Sequence, residues 1–126
     1  MIVDKMFPAL ENLLSLTSKR QQALTSNVAN MDTPGYHAKD FSFSEQLNAI
    51  NVATTSPNHI ALTADSASNI RMFEVEATEK PNGNNVDLEH ELTEITKNGL
   101  QYITLVQYLN QKIRTLRTSI TEGGRV

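Results

Sequence analysis

The sequence predicts a mainly α-helical chain. Two long terminal helices form a coiled-coil-like hairpin, joined by an irregular middle with one or two short β segments. Three observations carry this reading. Leu88, Leu92, Ile95, Gly99, Tyr102, Val106, Leu109, Ile113, Leu116 and Ile120 alternate in steps of four and three, and only Gly99 is not apolar. A second run, Phe7, Leu10, Leu14, Thr17, Gln21, Leu24, Val28 and Met31, alternates in steps of three and four. Between the two lies a cluster of helix breakers at Asn30, Asp32, Thr33, Pro34 and Gly35. A heptad stripe on a long helix asks for a partner helix.

The N-terminal helix is expected from about Asp4 to Asn30. Asp4 is the candidate N-cap, and Pro8 suits only a first turn, which moves the effective start towards Phe7. Ser15, Thr17 and Ser18 lower helix propensity near the middle. Thr17 and Gln21 are polar seam positions, which weaken a hairpin but fix its register. Pro34 pushes Thr33 out of the helical region, and Pro34-Gly35 suits the centre of a type II turn with Gly35 at positive φ.

Phe41 and Phe43 alternate with Ser42 and Ser44, which predicts a short extended segment, followed by a helical turn or two over Ser44–Asn51. Val52 to Ser68 shifts to Thr, Ser, Asn and Ala and reads as an irregular linker. Ile70 to Thr78 has strand character, and Lys80 to Asn85 reads as a loop. Asp87 then caps the long helix. Glu89, Glu91 and Glu94 near its start and Lys112, Arg114 and Arg117 towards its end complement the helix dipole, and Gly123-Gly124 closes it. The resulting organisation is residues 1–33, an N-terminal helix; 34–85, a turn motif and connecting region; and 86–126, a C-terminal helix. At about 1.5 Å per residue the last helix is roughly 50 Å long, too long to be wrapped by a chain of this size.

Net charge is −3, which argues against a nucleic-acid partner, and no run approaches a membrane span. There is no Cys, so disulfides, thiolate metal sites and thiol nucleophiles are excluded. The first residues lack the basic and continuous apolar regions of a Sec signal, so any passage out of the cytoplasm is expected by another route. His90-Glu91-Leu92-Thr93-Glu94 lacks the second His of a zinc helix, and a surface pair of His90 with Glu94 is the simpler expectation. His59, Asp65 and Ser66 have no nucleophile-elbow context. Asn82 to Asp87 lacks the spaced carboxylates of a calcium loop. No catalytic residue, cofactor or metal is expected. Leu100, Ile103, Leu105 and Tyr108 add a second apolar edge to the C-terminal helix, which favours neighbours on two sides.

Ser26-Asn27-Val28-Ala29-Asn30-Met31-Asp32-Thr33-Pro34-Gly35-Tyr36 resembles the signature that ends the N-terminal helix of bacterial flagellar rod and hook axial proteins. Its fixed positions, Ser26, Asn27, Ala29, Asn30, Thr33, Pro34, Gly35 and Tyr36, all match. Ala38-Lys39-Asp40-Phe41 and Asn82-Gly83-Asn84-Asn85-Val86-Asp87-Leu88-Glu89 are also similar to the family. The chain has no room for the large insertions of hook and distal-rod members, so it looks most like the short proximal-rod branch, which has two types.

The resemblance implies a structural subunit rather than an enzyme, exported through the flagellar type III apparatus without a cleaved signal. It implies helical assembly with itself and other rod proteins, contact with rod-base and membrane-ring components and the export gate, and a place in the rod across the periplasm. The motif would form an axial interface, and Leu10, Leu14, Leu24, Leu92, Ile95, Tyr102, Val106, Leu109, Ile113 and Leu116 the helix seam. A soluble helical adapter that binds one partner helix is the competing reading.

Overall fold

The computed structural model describes residues 2–42 and 71–124, with side chains from Met6 onward. Helix α1 spans Ile2–Ala29, strand β1 Lys39–Phe41, strand β2 Met72–Glu74 and helix α2 Leu88–Gly123. The fold is mainly helical with a small antiparallel sheet between the helices, as the sequence predicts. Phe43, Ile70, the turns expected over Ser44–Asn51 and the linker Val52–Ser68 lie outside the described residues, as do His59, Asp65 and Ser66.

Helix α1 begins earlier than expected. Asp4 is inside the helix rather than its N-cap, and Pro8 lies past the first turn. Pro8 forfeits one backbone bond, yet the helix runs through it from Ile2. The helix is also continuous through Ser15–Ser18. Leu16 and Thr17 are buried there, and the Thr17 hydroxyl donates to the Leu14 carbonyl at 2.8 Å. Tertiary burial outweighs the small propensity penalty.

The helices run antiparallel. Asn27 meets Glu91, Arg20 meets Glu94, Gln21 meets Asn98, and Met6 meets Tyr108. Because α2 is the longer, it continues roughly 15 Å past the start of α1. The projecting end carries an open apolar hollow of about 300 Å³ lined by Ile113, Leu116, Arg117, Ile120 and Thr121.

The buried face of α1 is centred differently from the apolar heptad. Leu10, Leu13, Leu16, Thr17, Arg20, Leu24 and Asn27 are buried, so Leu10, Thr17 and Leu24 are shared with the expected seam. Leu14, Gln21 and Val28 are only half-buried. On α2 the buried side chains are polar: Glu91 and Asn98. Each fully buried leucine, such as Leu16 or Leu24, contributes roughly 2 kcal/mol.

Strands β1 and β2 pair Lys39 with Glu74, Asp40 with Phe73 and Phe41 with Met72. Asp87 caps α2 as expected, accepting from the Glu89 N–H at 3.0 Å. Gly124 is the C-cap. Lys112, Arg114 and Arg117, however, are not in the last turn, which holds no basic residue because the helix runs on to Gly123. Dipole compensation fades within a turn, so it does not account for them. Lys112 instead sits over the Tyr108 ring, 5.2 Å from its centroid.

Candidate assembly site: the turn clasp and the helix faces

Helix α1 ends in a compact turn whose backbone bonds continue, the Met31 N–H donating to the Val28 carbonyl at 3.3 Å and the Thr33 N–H to the Asn30 carbonyl at 3.1 Å, with side chains reinforcing them. The Asn30 side-chain amide donates to the Ser26 carbonyl at 2.8 Å, a second donor beside the Asn30 N–H at 3.0 Å. The Tyr36 N–H then donates to the Thr33 carbonyl at 3.3 Å, and Gly35 takes φ +71°. Pro34-Gly35 thus occupies the centre of the turn, as its residue types require.

A second loop, Asn82 to Val86, clasps this turn. The Gly35 N–H donates to the Asn82 carbonyl at 2.9 Å, and the Asn85 N–H to the Tyr36 carbonyl at 3.2 Å. Asn84 is fully buried. Its amide donates to the carbonyls of Asn30 and Thr33, both at 2.8 Å, while its oxygen accepts from the Val86 N–H at 2.8 Å. Asn85 ties the loop to the strands, accepting from the Ala38 N–H at 2.7 Å and donating to the Val75 carbonyl at 2.8 Å. Gly83, at φ +78°, leaves 3.4 Å between the site of a would-be Cβ and Gly35 Cα. The close approach leaves little room between the loops for a side chain.

Asn27 joins the clasp to both helices. Its oxygen accepts from the Lys39 N–H at 2.9 Å and the Tyr36 hydroxyl at 3.1 Å. Its amide donates to the Lys39 carbonyl at 2.8 Å and to Glu91 Oε2 at 3.0 Å. All four hydrogen-bonding capacities of this buried amide are used. Of the motif residues, Ser26, Asn27, Asn30, Thr33, Gly35 and Tyr36 therefore come together in one network. Ala29 and Pro34 are exposed beside it.

Deeper between the helices sits a charged group that sequence reasoning missed. The Arg20 guanidinium donates to both Asp40 oxygens, at 2.7 and 2.8 Å, and to Glu94 Oε2 at 2.6 Å. The Asp40 bonds raise the Arg20 pKa above its ordinary value. Lys97, with Arg20 behind it, holds Glu94 below the usual carboxylate range. Glu94 thus pairs with Arg20 and Lys97, not with His90 as expected. Burial pushes the Glu91 carboxyl up, and the Asn27 donation offsets this only in part. The steps Leu10, Leu13, Thr17, Arg20, Leu24 and Asn27 alternate as regularly as the apolar heptad. Only the polarity of Arg20 and Asn27 argued against that stripe.

The apolar seam residues are divided between two environments. Leu10 and Leu24 are buried, and Leu14, Ile95, Val106, Leu109 and Leu116 are half-buried. Leu92, Tyr102 and Ile113 are exposed, Leu92 by half its surface. Leu88, Leu100, Ile103, Tyr108 and Ile120 are exposed with them, so α2 presents apolar side chains along most of its length.

Residues 11–37, from the first buried stretch of α1 to just past the turn, match the family described as "Flagella basal body rod protein". Over 119 residues the chain is 37% identical to the flagellar basal body rod protein FlgB of Aeromonas hydrophila, across 90% of each chain. The chain belongs to the FlgB family of flagellar basal body rod proteins. It is 34% identical over 118 residues to the FlgB of Bacillus subtilis (strain 168), covering 90% of this chain and 92% of that one. With the Escherichia coli (strain K12) FlgB the identity is 30% over 140 residues, covering 98% and 100%. The expected axial-family membership is thereby borne out. The matched residues 11–37 include Arg20, Asn27 and the whole Ser26–Tyr36 turn. No helix among the described residues is long and apolar enough to cross a membrane.

Proposed function

We propose that the chain is a structural subunit of the proximal rod of the bacterial flagellum. It assembles helically with copies of itself and with other rod proteins, linking the membrane ring and export gate to the distal rod and transmitting torque. Residues 1–33 and 86–126 supply the axial part, and 34–85 connects them. The turn at Ser26–Tyr36 positions the axial contacts, and the chain reaches the rod through the type III apparatus rather than by a cleaved signal.

One observation carries this reading. After the hairpin has formed, α2 still exposes Leu92, Leu100, Tyr102, Ile103, Ile113 and Ile120. Such a continuous apolar edge fits burial against further helices. FlgB-family membership supports the basal-body rod as the setting for those helices.

The test is a strain lacking this chain, examined for where basal-body assembly halts. Assembly should stop before the distal rod, and the chain supplied in trans should restore it. In the same strain, Pro34→Ala and Tyr36→Ala should impair assembly more than secretion. Complete rods formed without the chain would overturn the function. Normal motility in both variants would overturn the role of the turn.

A further inference from the structure

Helix α2 carries two stripes of opposite character. Residues one position apart on a helix are turned by about 100°, so Glu91 and Asn98 face differently from Leu92 and Gly99. The chain's own α1 packs on the polar stripe. Glu91 receives the Asn27 amide, Glu94 the Arg20 guanidinium, and Asn98 donates to the Thr17 carbonyl at 2.9 Å and to Gln21 Oε1 at 2.9 Å. Leu92, Leu100, Tyr102, Ile103, Ile113 and Ile120 are left outward.

A purely apolar choice would have placed α1 against Leu92, Gly99 and Tyr102. Arg20 and Asn27 would then lose Glu94 and Glu91, and an unmatched buried polar group is costly. The chain also accepts a penalty for the polar stripe. Asn98 Oδ1 and Gln101 Oε1 are buried with no hydrogen-bond partner among the described residues.

We infer that the ladder of Thr17, Arg20, Asn27, Glu91, Glu94 and Asn98 determines which face of α2 receives α1, and so keeps the apolar stripe free for neighbouring subunits. The ladder acts by positioning, through mismatch with the wrong face, as buried polar residues fix register in coiled coils. The second half of this inference rests on the proposed assembly. The first half concerns the single chain and stands without it.

The full chain has no Cys, so Gln22→Cys and Thr96→Cys, both at exposed positions, accept a pair of spin labels without background. The starting chain should give one narrow distance. Glu91→Leu with Asn98→Leu makes both faces apolar. It should keep its helix content by circular dichroism yet show a second population, displaced on the order of 10 Å as α1 rolls to the other face. Its sedimentation with other rod components should fall. Glu91→Gln with Asn98→Gln keeps the stripe polar and should restore the single distance.

A leucine variant with unchanged distance and unchanged assembly would overturn the inference, as would a glutamine variant that broadens like the leucine one. If the double leucine variant loses helix content, Asn98→Leu alone is judged by the same distances. Failure of the unsubstituted chain to assemble would instead count against the proposed function, leaving the distances to decide the face.

Discussion

Asn84 closes the clasp from within. It holds two carbonyls of the α1 turn and one N–H of its own loop, without exposure to water. Asn84→Ala removes one of two donors from each of those carbonyls and takes the acceptor from the buried Val86 N–H, and should cost about 2–3 kcal/mol, read as a lower urea midpoint. Glu91 is the opposite case, a carboxyl that burial disfavours in its ionised form. With its pKa raised in the folded chain, its stabilising contribution is full below the ordinary carboxylate value and is lost as pH rises through the folded value. Glu94 is depressed, so its contribution is full above the ordinary value and lost as pH falls through its folded value. Glu91→Gln should therefore melt higher than the starting chain at pH 7, with the gap closing towards pH 4. Glu94→Gln should melt lower at pH 7, with its deficit shrinking on acidification. Thermal melts at the two pH values check both signs.

At the scale of the elements, Arg20 couples α1 to β1 and α2 at one point. Arg20→Ala leaves Asp40 without its cation and Glu94 with Lys97 alone, and should cost about 3 kcal/mol by denaturant titration. Much of this level was legible in the sequence. Asp87 read as a cap, Pro34-Gly35 as a turn with positive φ at glycine, and Leu10, Thr17 and Leu24 as seam residues, because each follows from local stereochemistry or spacing. Arg20, Asn27, Glu91 and Asn98 were not legible as interface. A charged or amide residue on a helix is ordinarily solvated, and its burial depends on a partner far along the chain: Asp40 for Arg20, Thr17 for Asn98. The clasp was half legible. Asn82 to Glu89 stood out as a family stretch, but nothing local announced that Asn84 and Asn85 would bond to the turn residues and strands.

For the whole molecule, the proposed assembly would be kept apart from folding by the division between an inner seam of leucines and the polar ladder and an apolar outer edge. Leu92→Glu places a charge on the outer edge, half exposed in the single chain. It should leave the melting of the isolated chain within about 0.5 kcal/mol of the starting value. Co-sedimentation with rod components should be lost. A variant that melts normally and still co-sediments would show that this edge is not the contact.

The pairing of Phe41 with Met72 has a consequence for the stretch between them. The polypeptide departs from the described framework and rejoins it at a single doorway, with Asn85 bolting the adjoining backbone at Ala38 and Val75. A guest sequence spliced in there meets both posts already fixed, and for a flexible guest each doubling of length adds only about 0.6 kcal/mol of closure entropy. One scaffold can thus carry cargo of very different size at that point without retuning the two helices.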